Sequence, residues 1–232
     1  MPCYTTLHSG GYKYTSDERM LMYLYPNDSL DDKEAKNAVA NGLRDACEAV
    51  YNYSSNIGYY EINYTDTHPK INTDDQSKCD TLGDWGVWYS NNSCGGSTYD
   101  ARTGSHALVV GEHLGGCAYS GTPTAFNTSK AAVVGTGGGV KEQFINTAVQ
   151  EVFHSFINGG VIKNKYSYLI KNDDHDLGKV YGDCSISPMA SGYEDSHARH
   201  GECSSSNAWC GTYTRRPTDC TDRGMDYSAK EA

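Results

Sequence analysis

A chain of 232 residues with 29 acidic against 19 basic side chains, a formal charge of -10, has no basic cluster to neutralise a phosphate backbone, so no nucleic-acid partner is expected. It is long enough to bury a core without help from metals or disulfides, and a single domain over 1–232 is expected, sheet-bearing over 1–139 and helical then irregular over 140–232. No stretch reaches the ~18 apolar residues that span a bilayer, Met20–Tyr25 being the nearest, so no membrane span is expected.

Met20–Tyr25, a continuous apolar run closed by Pro26, reads as a buried first strand. Ser29 and Asp32 have capping-box spacing before a helix over about Asp31–Tyr51, whose stripe is Ala35, Val39, Leu43, Ala46, Cys47 and Val50. Ile57–Tyr64 is rich in strand formers, and Trp85–Tyr89, W-G-V-W-Y, reads as a third strand. Ala107–Val110 begins a fourth strand that continues irregularly through a glycine-rich edge containing His113, and Ala131–Gly135 is a fifth. Phe144–Ile157 is the clearest helix, with Ile145, Ala148, Val149, Val152, Phe153 and Phe156 at three- and four-residue spacing and Gly159 and Gly160 as terminators. Val161–Ile170 fits helix or strand, and Pro217 opens a final helix over Thr218–Ala232. The expected class is α+β: a mixed twisted sheet of about five strands, two long helices and an irregular disulfide-rich C-terminal part.

Nine cysteines without C-x-x-C pairs favour disulfides and an oxidising compartment, with one thiol left over. Cys79 with Cys94, and a mutual cluster of Cys184, Cys203, Cys210 and Cys220, are the expected groupings. Five N-x-S/T sequons, at Asn27, Asn52, Asn63, Asn91 and Asn127, fit a secreted glycoprotein, although an Asn-, Ser- and Thr-rich chain produces some by chance. The start M-P-C-Y-T-T has neither a basic nor an apolar leader segment, and the expectation is a mature extracellular chain whose signal peptide is already removed.

The chemistry concentrates on the Phe144–Ile157 helix. Gln150 and His154 stand one turn apart with Glu151 beside them, the layout of H-E-x-x-H with its first histidine replaced by glutamine. The plain alternative is that Gln150, Glu151 and His154 are the solvated face of an amphipathic helix.

Q-E-V-F-H on the helix after the fifth strand, the irregular strand L-V-V-G-E-H-L-G-G-C-A-Y-S-G before it and S-I-S-P-M after it resemble the metzincin zinc endopeptidases. The resemblance implies an edge strand over a cleft, a zinc-bearing helix and a methionine turn at Met189. It implies that zinc polarises the scissile carbonyl and acidifies a water while Glu151 acts as general base on a peptide or protein substrate. His154 is then a metal ligand, and Gln150 occupies the first ligand position, where a neutral amide is a poor substitute for imidazole. Ile157 replaces the family's glycine, and no histidine follows three residues later. His175, in D-D-H-D-L-G, becomes the candidate third ligand if Asn158–Asp174 is an insertion.

Two functional expectations follow. One is an atypical metzincin-like metallopeptidase; the other is a non-catalytic extracellular binding or structural protein on the same scaffold, with no cofactor, in keeping with Gln150. His113, and His197 with His200, are alternative ligands whose plainer readings are strand packing and a disulfide-pinned loop, and Met189 reads equally as a core side chain. T-G-G-G at Thr136–Gly139 lacks the lysine of a P-loop, and W-G-V-W-Y is either a sugar-stacking face or core.

Overall fold

In the computed structural model the structure describes residues 4–12, 18–27, 30, 33–65, 68–74, 76–91, 103–112, 115–137, 141–190, 203 and 209–232. A six-stranded mixed sheet is formed by β1 (Tyr4–Gly10), β2 (Glu18–Pro26), β3 (Ile57–Thr65), β4 (Gly104–Val110), β5 (Gly116–Ala118) and β6 (Ser129–Gly135). Its order is β1-β3-β2-β4-β6-β5. The inner pairs are parallel, whereas β1 on β3 and β5 on β6 are antiparallel, so both edges run against the centre.

Alternation along the strands assigns the helices to faces. Met20, Met22 and Leu24 of β2, Ala107 and Val109 of β4, and Ala132 and Val134 of β6 share one core with α1 (Lys33–Tyr53), α3 (Lys141–Phe156) and α5 (Asp219–Lys230). Tyr23, Tyr25, Leu108, Val110, Ala131 and Val133 point the other way, onto α2 (Lys78–Asn91). This is the α+β class with a mixed sheet that the element order implies.

Two corrections concern local structure. W-G-V-W-Y is not a strand but the second half of α2. Leu82, Trp85 and Tyr89 recur at helical spacing and are buried, and Ser77 caps the helix by accepting a hydrogen bond from the Asp80 amide at 3.2 Å. A cap and a three-four stripe outweigh the aromatic strand propensity. Trp85 and Tyr89 are core, with the Trp85 indole donating to the His106 carbonyl oxygen, so the sugar-stacking reading falls for those two rings. Second, Gly159 and Gly160 open a helix rather than end one: α4 (Gly159–Lys165) starts behind Asn158, whose side chain accepts from the Val161 amide. Strand β1 has no counterpart in the sequence reading, because it is a half-exposed polar edge without an apolar run. Pro217 lies before the Thr218 N-cap of α5, outside the first turn where it was expected.

Cys184–Cys210 and Cys203–Cys220 bridge within the expected C-terminal cluster, and Cys47 is a buried free thiol. Cys79 pairs with Cys117, not with the expected Cys94, which lies outside the described residues. The bridge ties α2 to the edge strand β5. Ser29 and Asp32 of the expected capping box also lie outside the described residues. Among those residues, no helix is long and apolar enough to cross a membrane.

Asp226 of α5 accepts hydrogen bonds from the Ser54 hydroxyl at 2.5 Å and from the Ser55 and Asn56 amides, fastening the last helix to the end of α1. Asp222, one turn earlier, is the less settled carboxyl: its Oδ1 is buried, with no hydrogen-bond partner among the described residues. Burial, then the charge of Asp219, raise its pKa from 3.8 to about 7 against the pull of Arg216. The folded state therefore holds this proton more tightly than the unfolded chain, and stability falls as pH rises from about 4 to about 7. Asp222→Asn is expected to flatten that decline and to add on the order of 2–4 kcal/mol at pH 8, read by denaturant titration at pH 4 and pH 8.

Candidate metal centre and its cleft

Helix α3 crosses under the sheet with Ile145, Val149, Val152 and Phe153 fully buried, which fixes its rotation about its own axis. Gln150, Glu151 and His154 are buried too, at 9, 7 and 8 % exposure, so they are not a solvated face. Their cover comes from two elements distant in sequence: the edge strand β5 and the segment around Asp174–Leu177, a short 3₁₀ turn.

The chain does not leave α3 by a sharp glycine turn. Ile157 continues the helical hydrogen bonding to Phe153, α4 follows, and residues 166–173 return to the C-terminal end of α3. The returning turn is fixed by its own aspartates: Asp173 accepts from the His175 amide at 3.0 Å, and Asp176 from the Lys171 and Asn172 amides at 2.8 and 2.7 Å. Thr218 and Thr221 at the start of α5 donate their hydroxyls to the Leu177 carbonyl oxygen. Gly178 passes so close to the Ala190 backbone that a Cβ would lie 2.0 Å from its nitrogen, which holds the turn against the segment carrying Met189.

This return places His175 beside His154, ring centroids 4.8 Å apart and nearly perpendicular. Asp174 Oδ2 lies 2.7 Å from His154 Nδ1, and His154, Asp174 and His175 each offer a ligand atom within 4.8 Å of the others. The His175 Nδ1 is 3.0 Å from the Met189 carbonyl oxygen. A carbonyl only accepts, so Nδ1 carries the proton and Nε2 keeps its lone pair. The Gln150 amide nitrogen lies 3.3 Å from the same Nδ1, the longer of the two contacts. Beside His154 and His175 the cluster holds Asp174, which the sequence reading did not single out. Its only sequence signal is its place in D-D-H-D, next to a histidine already suspected.

The electrostatics follow from this packing. Burial alone would lower the His154 pKa, but the charge and hydrogen bond of Asp174, with help from Glu151 and Asp173, raise it to about 9. Burial works to raise the Asp174 carboxyl, and His154 and His175 overcome it and hold the carboxyl below its ordinary range. Burial and the neighbouring His154 charge lower His175. Glu151 is raised, chiefly by burial and further by Asp174, against His154 and Lys78.

These groups open into a cleft of about 320 Å³, lined by Gln150, Glu151, His154 and Asp174 and also by Lys78 of α2 and Cys117 of β5. A cavity of about 160 Å³ adjoins it at Gly116, Gln150 and Glu151 and is backed by Ile186, Trp209 and Tyr213. Gly116 is required by close approach: a Cβ there would lie 2.2 Å from Glu151 Cγ. Asn146 of α3 donates to the carbonyl oxygens of Ile186 and Thr214, fixing the small sheet of β7 (Ser185–Ile186) and β8 (Thr212–Tyr213) behind that cavity. A larger cavity of about 380 Å³ borders Asn27 and Glu112, away from this cluster. Met189 is fully buried in the core shared by α3 and α5. His113, His197, His200, Gly138 and Gly139 lie outside the described residues.

The chain matches no family model and no curated protein. Among solved structures it is similar to a chain in "Structure of a chaperone-substrate complex", with a TM-score of 0.48 and 12% identity over 94% of this chain. It spans 38% of the length of that chain.

Proposed function

We propose that the cleft binds an extended peptide and hydrolyses it with a divalent metal held by His154, His175 and Asp174, as a secreted metzincin-like metallopeptidase in which Glu151 is the general base. The observation that carries this reading is the convergence of two imidazoles and a carboxylate beside a buried glutamate in one cleft. Such a donor set fits zinc, which takes nitrogen and oxygen ligands and, in catalytic sites, keeps a position open beyond three protein ligands. The His175–Met189 contact supports it further, since an imidazole whose Nδ1 is engaged by a carbonyl presents Nε2 in a fixed orientation. When bound, the metal supplies Lewis acidity toward a carbonyl and toward water.

The remaining roles belong to the chain. β5 is an edge strand, and its residues border the cleft, so its outer edge is suited to take a peptide as an added strand. Glu151 takes a proton from the attacking water and returns it to the leaving amine, work for which a pKa raised by burial is suited. The disulfides support an oxidising, extracellular setting. A non-catalytic protein on this scaffold is the second reading, favoured by Gln150, a neutral amide at the first ligand position that the resemblance assigns.

Incubating the zinc-loaded protein with a peptide mixture and following cleavage by mass spectrometry separates the two. Hydrolysis that 1,10-phenanthroline stops and added zinc restores is the expected result. Absence of cleavage by zinc-loaded protein, or cleavage indifferent to chelation, contradicts the catalytic reading.

A further inference from the structure

The five N-x-S/T sequons are placed very differently by the fold. Asn27, which follows β2, is 2 % exposed, and its amide is engaged by the backbone of Ile71: Nδ2 donates to the carbonyl oxygen at 3.1 Å, and Oδ1 accepts from the amide at 3.0 Å. Asn63 is fully buried in β3, a strand paired on both sides, and its Oδ1 accepts from the Thr6 hydroxyl at 2.9 Å. Its Nδ2, the atom that would carry a glycan, is enclosed in protein. Asn127 is the opposite case. Thr124, Ala125 and Phe126 before it are buried, the Ala125 amide donates to the Ser155 carbonyl oxygen at 2.8 Å, and the Phe126 ring lies 5.0 Å from that of Phe156, so the segment is pinned to the end of α3. A turn closed by the Asn127 amide on the Thr124 carbonyl oxygen then leaves Asn127 exposed. Asn52 is exposed in the last turn of α1, one turn after the exposed Glu48, while Cys47 and Val50 of the same helix lie in the core. The side chain of Asn91 lies outside the described residues.

We propose that Asn52 and Asn127 are N-glycosylation sites, and that Asn27 and Asn63 stay bare in the folded protein because their side chains are structural. The proposal rests on the extracellular reading above and adds the modified residues. In the secretory pathway the asparagine Nδ2 takes an oligosaccharide from a lipid diphosphate. The new bond joins Nδ2 to the anomeric carbon, the bond from that carbon to the phosphate oxygen breaks, one amide proton passes to a base, and the lipid diphosphate leaves. Ser54, whose hydroxyl completes the Asn52 sequon, donates that hydroxyl to Asp226 in the folded state, so transfer at Asn52 precedes the docking of α5. Once the chain folds, a saccharide on Asn52 or Asn127 extends into solvent. One on Asn27 would displace the Ile71 backbone, and one on Asn63 would part β3 from its neighbours, in each case burying sugar hydroxyls that need partners.

The test maps occupancy site by site on the full chain, directed into the secretory pathway of a eukaryotic host by a cleavable signal peptide and purified folded from the medium. Release of the glycans by peptide N-glycosidase F in ¹⁸O-water converts each occupied asparagine to ¹⁸O-labelled aspartate, which peptide mass spectrometry reads. We expect label at Asn52 and Asn127, with the Asn27 and Asn63 peptides recovered as unmodified asparagine from the same digest. Asn52→Gln and Asn127→Gln should each remove the mass of one glycan and shift the melting temperature of the deglycosylated protein by no more than about 2 °C. Asn27→Gln should leave the glycan mass unchanged and lower that temperature by about 4–8 °C, because two hydrogen bonds to Ile71 are lost. The mapping on the parent chain stands by itself if the Asn27 variant is not secreted. An unlabelled Asn52 or Asn127, or label at Asn27 or Asn63, in folded secreted protein overturns the assignment while leaving the extracellular reading intact. Retention of the parent chain in the cell with its disulfides unformed overturns both.

Discussion

Glu151→Gln is expected to lower peptide hydrolysis by ~10³-fold while metal content stays unchanged. The isosteric amide is the informative change. Glu151 is only 7 % exposed, and Gly116 leaves no room beyond its present outline, so Gln preserves the packing that Ala would hollow out. What Gln removes is the ability to accept and return a proton. His154, Asp174 and His175 are untouched, so the variant separates proton transfer from metal holding. The measurement is a kcat and KM determination on one cleaved peptide, with metal content by mass spectrometry. The loss should fall on kcat, because the glutamate acts on the water and the leaving amine more than on substrate binding. Full activity in Glu151→Gln would mean that the proton acceptor is another group.

Asp174→Ala has the second large effect, and it acts on two properties. Metal affinity is expected to fall by ~100-fold or more, since the carboxylate is both a member of the cluster and the partner that orients His154. Competition against a chromophoric chelator reads that loss. In the metal-free protein the same carboxylate, with smaller help from Glu151 and Asp173, raises the His154 pKa from 6.5 to about 9, and an imidazolium stabilised in the folded state adds stability that is complete below pH 6.5 and lost as pH rises through about 9. Asp174→Ala should therefore cost on the order of 2–3 kcal/mol at pH 6 and almost nothing at pH 10. A His154 that still titrates near 9 in the variant, followed by NMR, would assign the shift to Glu151 and Asp173 instead.

The parts of this molecule legible in the sequence are those whose evidence is local. The strands read over Ile57–Tyr64 and Ala131–Gly135 are legible as runs of strand-forming or apolar residues, and α1 and α3 by three-four spacing that also tells which helix face is buried. The aromatic run of α2, taken alone, satisfies the strand rule; the Ser77 cap eight residues before Trp85 decides for helix. Cys79 finds Cys117 rather than Cys94 because α2 packs across β5 and β6, a tertiary fact that no spacing contains. The candidate site divides the same way. Glu151 and His154 are legible because one helix carries both, and His175 only through the resemblance and an assumed insertion. Asp174 depends on a segment that leaves α3, forms α4 and returns, so its approach to His154 is decided by the caps at Asp173 and Asp176 and by the grip of α5 on Leu177.

Metal content tests that cluster directly. Purified without chelator, dialysed against metal-free buffer and analysed by inductively coupled plasma mass spectrometry, the protein is predicted to carry about one zinc per chain, and His175→Ala to carry almost none. A parent that stays metal-free after incubation with zinc, or a His175→Ala variant that retains the parent's full content, would contradict the assignment of His154, His175 and Asp174 as a metal site.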